Sequence, residues 1–164
     1  MNRTIIFSTR NWQGKYWSRD IPGGVETTPC TTGIFLVDAS RAAPPRKLPG
    51  ILGDAPGYSP DGKLVYFQMK GKEHYSIFLC HEDGSGVTCI TSAHKPEGDR
   101  FGWKFSPDGK KITYTFFDGK IGRVGIMNPD GSEPRLVAPG LGYHYMGELS
   151  PDNRHIAFTQ ACKD

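Results

Sequence analysis

The stretch Ala55-Pro56-Gly57-Tyr58-Ser59-Pro60-Asp61-Gly62-Lys63 decides the fold, because its centre recurs twice. Ser106-Pro107-Asp108-Gly109 follows 47 residues later, and Ser150-Pro151-Asp152-Asn153 a further 44. Each copy leads through a basic residue into a β-prone run: Leu64-Val65-Tyr66-Phe67, Ile112-Thr113-Tyr114-Thr115 and Ile156-Ala157-Phe158-Thr159. Self-similarity at such a period marks a stacked or radial repeat architecture. Within the motif, Pro presets φ and Asp-Gly tolerates the positive φ of a hairpin. These serines and aspartates are therefore turn formers, and no Gly-x-Ser-x-Gly elbow exists to make one of them a nucleophile.

Working outward, the unit that opens at Asp54 reads as four strands, at 54–58, 63–69, 75–80 and 87–91. Its two tight turns are Ser59-Pro60-Asp61-Gly62 and Asp83-Gly84-Ser85-Gly86. The next unit repeats the order with strands at 101–105, 111–116, 123–127 and 134–137, and with Asp130-Gly131-Ser132 in the later turn. Four antiparallel strands of period-two polarity describe a propeller blade. The expected fold class is thus all-β, a partial β-propeller of three to four four-stranded blades in one domain over 1–164. Blade 1 spans about 4–50 with an insertion at 11–32, blade 2 about 54–92, blade 3 about 100–138, and a partial blade 4 about 143–160. Blade 1 begins with its second strand, Thr4-Ile5-Ile6-Phe7-Ser8-Thr9, and blade 4 supplies only a first and a second strand. Closed propellers use about four to eight blades, and open edges and flanks are a liability. The expectation is a ring completed to six or seven blades by a second chain or by further sequence. The alternative is a small ring closed by pairing the first and last strands.

The order aromatic-Ser-Pro-Asp-Gly-Lys, apolar-x-aromatic, then Asp-Gly-Ser before a short strand resembles the TolB-like (WD40-like) β-propeller repeat, over about residues 33–160. The resemblance implies the fold and says little of activity, since one blade type serves many functions.

Composition agrees with many short strands. Of 164 residues, 21 are Gly and 13 Pro, and 12% are aromatic; long helices are disfavoured by that balance. No run approaches the roughly 20 apolar residues of a membrane span. The first residues lack the apolar core of a signal peptide. The chain accordingly reads as cytoplasmic, or as a processed or truncated piece of a longer, extracytoplasmic one. A net charge of +3 with interspersed signs leaves no basic stripe for nucleic acid. Four cysteines, Cys30, Cys80, Cys89 and Cys162, lack metal-type spacing. Cys80 and Cys89 lie symmetrically about the Asp83–Gly86 turn, which in a regular hairpin places them opposite each other for a disulfide; two buried free thiols are the alternative.

Inner strands and the loops entering them line the channel mouth of a propeller, so candidate ligand-binding residues are sought there. Alignment on the three serines gathers Arg100, Trp103, Lys104, Tyr143, His144, Tyr145 and Glu148 near the axis. Aromatics interleaved with charges suit a peptide, a sugar or a small polar ligand; the plainer reading makes Trp103 and Tyr145 wedges between blades. The insertion adds Trp12 and Trp17, either a binding loop or a cover for an open blade edge. No cofactor or metal is expected: only His144 of five histidines falls near the axis, and zinc wants three or four ligands. Asp83-Gly84-Ser85-Gly86 and Asp130-Gly131-Ser132 lack the alternating acids of a calcium loop. Oligogalacturonate lyases resemble this fold but use several channel histidines with a metal. Peptidases with a related propeller keep their catalysis in a separate α/β domain. The functional expectation is a non-catalytic binding or assembly module for a protein, peptide or small polar ligand, with a second copy of itself among the candidate partners. The alternative is a propeller enzyme acting on carbohydrate, or the propeller portion of a peptidase.

Overall fold

A computed structural model describes residues 4–9, 33–40, 43–137 and 143–161. Trp12, Trp17, Cys30 and Cys162, with the insertion at 11–32, lie outside the described residues. Thirteen strands are present among the described residues and no helix, so none is long and apolar enough to cross a membrane. The first sheet holds β1 (Thr4–Thr9), β2 (Gly33–Asp38) and β3 (Arg46–Lys47) in the order β1-β2-β3. The second holds β4 (Asp54–Tyr58), β5 (Leu64–Lys70), β6 (Tyr75–His81) and β7 (Thr88–Cys89), in chain order. The third repeats it with β8 (Asp99–Phe105), β9 (Ile112–Phe117), β10 (Gly122–Met127) and β11 (Arg135–Leu136). The fourth contains β12 (Tyr143–Leu149) and β13 (Ile156–Ala161). All pairings are antiparallel. This is a partial propeller, two full meanders flanked by a three-stranded and a two-stranded one.

The Ser-Pro-Asp motif earns its recurrence through one hydrogen-bonding scheme built three times. Ser59 Oγ donates to Asp61 Oδ1 at 2.6 Å and accepts from the Leu64 amide at 3.0 Å, while the Lys63 amide donates to Asp61. Ser106 with Asp108 and Ser150 with Asp152 reproduce each bond. The fourth residue takes positive φ, 71° at Gly62, 71° at Gly109 and 58° at Asn153; Asn is the non-glycine residue that tolerates this region best. The later turns at Asp83 and Asp130 likewise spend a carboxylate oxygen on the amides of Ser85 and Ser132, the bonding of a tight turn.

Sheets stack by alternation along β5. Val65 and Phe67 face the first sheet and pack with Ile34, Leu36, Leu48, Ile51 and Cys80. Tyr66, pointing the other way, packs with Ile77, Ile90, Ile112, Tyr114, Phe116 and Met127 against the third sheet. A strand reads this way when both its faces are buried between blades. In β13 the pattern breaks: its residues after Ile156 are all exposed, and Phe158 is 41% exposed. Its outer edge has no partner strand among the described residues.

The bridge between Cys80 and Cys89 does not form. Cys89 is opposite Phe78, and Cys80 is opposite Val65 on the other side of β6. Both cysteines are free. The hairpin closes between His81 and Ser85, so the register is displaced from the symmetric one that would have set the thiols face to face. Burial, with Asp83 adding to it, pushes the Cys80 thiol up to about 11.

Candidate functional site

The first strands of successive sheets lie side by side. Each carries a bulge at the same place, between Asp54 and Gly57, between Phe101 and Lys104, and between Tyr145 and Glu148. The bulged residues, Ala55, Gly102 and Met146, stand four positions before the repeat serine and have φ of 48°, 60° and 57°. A bulge of this kind bends the strand and re-aims the side chains beyond it. It also turns one backbone amide toward the preceding sheet. The Gly102 amide donates to Gln68 Oε1 at 2.8 Å, and the Met146 amide to Thr115 Oγ1 at 3.2 Å. Gln68 and Thr115 both lie nine positions after their serine. The Gln68 amide group then donates to Asp54 Oδ1 at 2.6 Å, so one buried side chain ties two inner strands.

Beyond the bulges, β4, β8 and β12 form an open groove of about 530 Å³. Its apolar wall is Pro56, Tyr58, Trp103 and Phe105, and its charged end is Lys104 and Glu148. Lys104 Nζ and Glu148 Oε2 are 2.7 Å apart, an exposed pair joining β8 to β12. Trp103, Tyr66 and Phe105 form an aromatic triad with centroid separations of 5.7, 5.9 and 4.9 Å. The indole sits over Gly57, where a Cβ would come within 2.8 Å of the ring. Glycine there is what lets the tryptophan wedge between the sheets. The buried Trp103 Nε1 has no hydrogen-bond partner. Tyr58 donates to Glu82 Oε1 at 2.7 Å, and burial together with that carboxylate holds its phenol above the usual range.

The sequence-derived candidates thus divide. Trp103, Lys104 and Glu148 come together at the groove. Arg100 does not: near the start of β8 it is 5% exposed, bonded to the Gly98 and Pro96 carbonyls and packed over the Phe116 ring. His144, at the equivalent position of β12, is 3% exposed with its ring 4.8 Å from that of Phe158. It is a histidine packed against the ring of its neighbouring strand. Tyr143 and Tyr145 are placed on β12 by their backbone. The alignment missed Tyr58 and Pro56, whose position before the turn looked purely structural, and missed the bulges, which carry no shared residue type.

Among the described residues, one group brings metal-type ligands together. Glu73 and His74, at the β5–β6 turn, and Glu97, in the loop before β8, have ligand atoms within 4.8 Å of one another. All three are exposed, and Glu97 already pairs with Lys95 at 2.6 Å.

Bladed sheets, inner strands lining a common face and interblade packing define the class: this is a β-propeller chain. Comparison with known proteins narrows the type. No family model matches the chain. It is 28% identical over 162 residues to the uncharacterized protein Atu1656 of Agrobacterium fabrum, covering 88% of this chain and 54% of the relative. It is 29% identical over 126 residues to the Tol-Pal system protein TolB of Alcanivorax borkumensis, covering 76% and 28%. A solved structure described as a TolB from Agrobacterium tumefaciens superposes with a TM-score of 0.63 at 22% identity, covering 77% of this chain and 46% of that one. The propeller is TolB-like. The chain spans about half the length of the first relative and less than a third of the second.

Proposed function

We propose that the chain is a non-catalytic recognition module whose binding surface is the groove along β4, β8 and β12, with an extended peptide segment of a partner protein as its ligand. The groove itself carries the reading. It offers an apolar aromatic wall beside one cation and one anion, which suits a segment with an apolar side chain and a polar neighbour. Among the described residues it gathers no nucleophile with a base, and His144, the one histidine expected near it, is buried against Phe158. The resemblance to TolB supports a binding role by analogy of fold. Ring-completing strands would add at the exposed edge of β13; a solution mass of twice 18.1 kDa supports self-completion.

The test is selection of a random-peptide display library on the purified protein. Peptides enriched on the wild type are then measured against Lys104→Ala and Phe105→Ala by fluorescence anisotropy. The reading expects at least a tenfold loss in both variants. Enriched peptides that bind both as well as wild type place recognition elsewhere and sink it.

A further inference from the structure

Arg100 is a cation without a counter-charge. Its side chain is withdrawn from water, yet among the described residues no carboxylate pairs with it. Nη1 donates to the Gly98 carbonyl at 2.9 Å and Nη2 to the Pro96 carbonyl at 2.7 Å. The guanidinium lies 5.0 Å from the centre of the Phe116 ring, and the buried Nε has no partner. Carbonyl dipoles and a ring face soften the cost of a buried guanidinium; they do not neutralise it. Desolvation accordingly pulls its pKa down, with the Tyr114 hydroxyl as the main group opposing that pull.

This side chain lines a small cavity of about 50 Å³ in the seam where the loop before β8 meets the third sheet. Lys95, Tyr114 and Arg135 line it as well. Three basic side chains therefore converge from three elements: the entering loop, the first strand and the last strand. The carboxylates next to them in sequence, Glu97 and Glu133, are exposed and pair with Lys95 and Lys111. A void of this size has room for several waters or one small oxyanion. A planar, fixed guanidinium with a spare donor suits a multi-oxygen anion better than a single-atom one, and Arg135, joined by Lys95 once it leaves Glu97, favours a dianion.

We propose that this seam cavity is a phosphate-binding site, in which Arg100 is the buried anchor and Lys95 and Arg135 close over the anion. The ligand is a phosphate group, either free orthophosphate or a phosphomonoester. The site is distinct from the peptide groove and does not depend on it.

Calorimetry and thermal unfolding with inorganic phosphate test it, at fixed ionic strength with chloride as the balancing salt, and with O-phosphoserine as a second arm. Phosphate is expected to bind with one-to-one stoichiometry and to raise Tm, since a ligand of the native state stabilises it. Lys95→Ala and Arg135→Ala, both at exposed positions, should each weaken binding at least fivefold and keep the unliganded Tm within 2 °C or so. Arg100→Met should abolish the phosphate-induced shift; if it fails to fold, the two surface variants decide. Phosphoserine binding comparable to phosphate assigns a phosphomonoester, and orthophosphate binding alone assigns the free ion. No saturable binding at 10 mM or so of either probe, an equal response to chloride, or unchanged affinity in the Lys95→Ala/Arg135→Ala double variant overturns the proposal.

Discussion

Replacing Gln68 with Leu tests how the inner strands are held in place. The leucine keeps most of the buried volume, so the change removes hydrogen bonds more than packing. Two bonds are lost: the one Gln68 donates to Asp54 Oδ1 at 2.6 Å and the one it accepts from the Gly102 amide at 2.8 Å. A bond to a carboxylate contributes about 2 kcal/mol and a neutral one about 1 kcal/mol, with a further cost when the abandoned partner stays buried. A loss of about 3 kcal/mol follows, which for a chain of this size lowers Tm by roughly 10 °C. Thr115→Val is the internal comparison. It removes the equivalent bond to the Met146 amide without an inner-strand carboxylate, and should cost about 1 kcal/mol, or roughly 3 °C. Urea and thermal unfolding followed by tryptophan fluorescence measure both. Coupling between Gln68→Leu and Asp54→Ala should make their losses less than additive. If Gln68→Leu is no more destabilising than Thr115→Val, the idea that one glutamine ties two blades is wrong.

Other perturbations probe the turns, a buried histidine and a thiol. Gly131 and Gly119 share a φ of about 86–87°, but a Cβ at Gly131 collides with the Ile90 carbonyl while at Gly119 it meets open space. Gly119→Ala should therefore cost about 1–2 kcal/mol from backbone strain alone, and Gly131→Ala about 3–5 kcal/mol; equal losses by chemical denaturation would refute the contact. His94 is buried with Nε2 2.6 Å from the Gly131 carbonyl, and burial holds its pKa below the ordinary 6.5, with Arg100 adding to the depression. The unfolded chain then binds the proton first, so stability should fall as pH drops below about 6.5 toward the folded pKa. His94→Gln should flatten that limb and leave the separate carboxylate-driven loss below about pH 4 intact. An unchanged limb would show that His94 is not its source. In a variant with Cys30, Cys89 and Cys162 replaced by Ser, native Cys80 should resist a thiol reagent at pH 8 or so, because its thiol stays protonated near there and buried. Labelling as fast as in urea would contradict that burial.

What could be read from residues alone was governed by how locally each feature is encoded. The Ser-Pro-Asp turn is specified within five residues by Ser59, Asp61 and the amides they accept or bridge, so each copy announces itself and the blade count follows. Alternation along β5 needs only the sequence Val65-Tyr66-Phe67, because strand geometry sends successive side chains to opposite faces. The inner-strand site failed where that alternation is interrupted. Counting back from Ser106 puts Arg100 and Trp103 on one list, and the bulge at Gly102 does keep both on the sheet face of Phe116 and Tyr114, but at different heights: Arg100 is buried over Phe116 near the start of β8, while Trp103 lies at the groove beside Lys104. Nothing at Ala55, Gly102 and Met146 marks the bulge as a shared feature: a backbone amide makes the interblade bond, and a backbone amide has no letter in the sequence. The acceptors differ as well, Gln68 in one seam and Thr115 in the next. The same blindness misplaced Cys89, since the turn after His81 closes with a register that no spacing between cysteines reveals. In this repeat the side chains write the turns and the backbone sets the phase of what lies between them, which is why the fold was legible and the site was only half so.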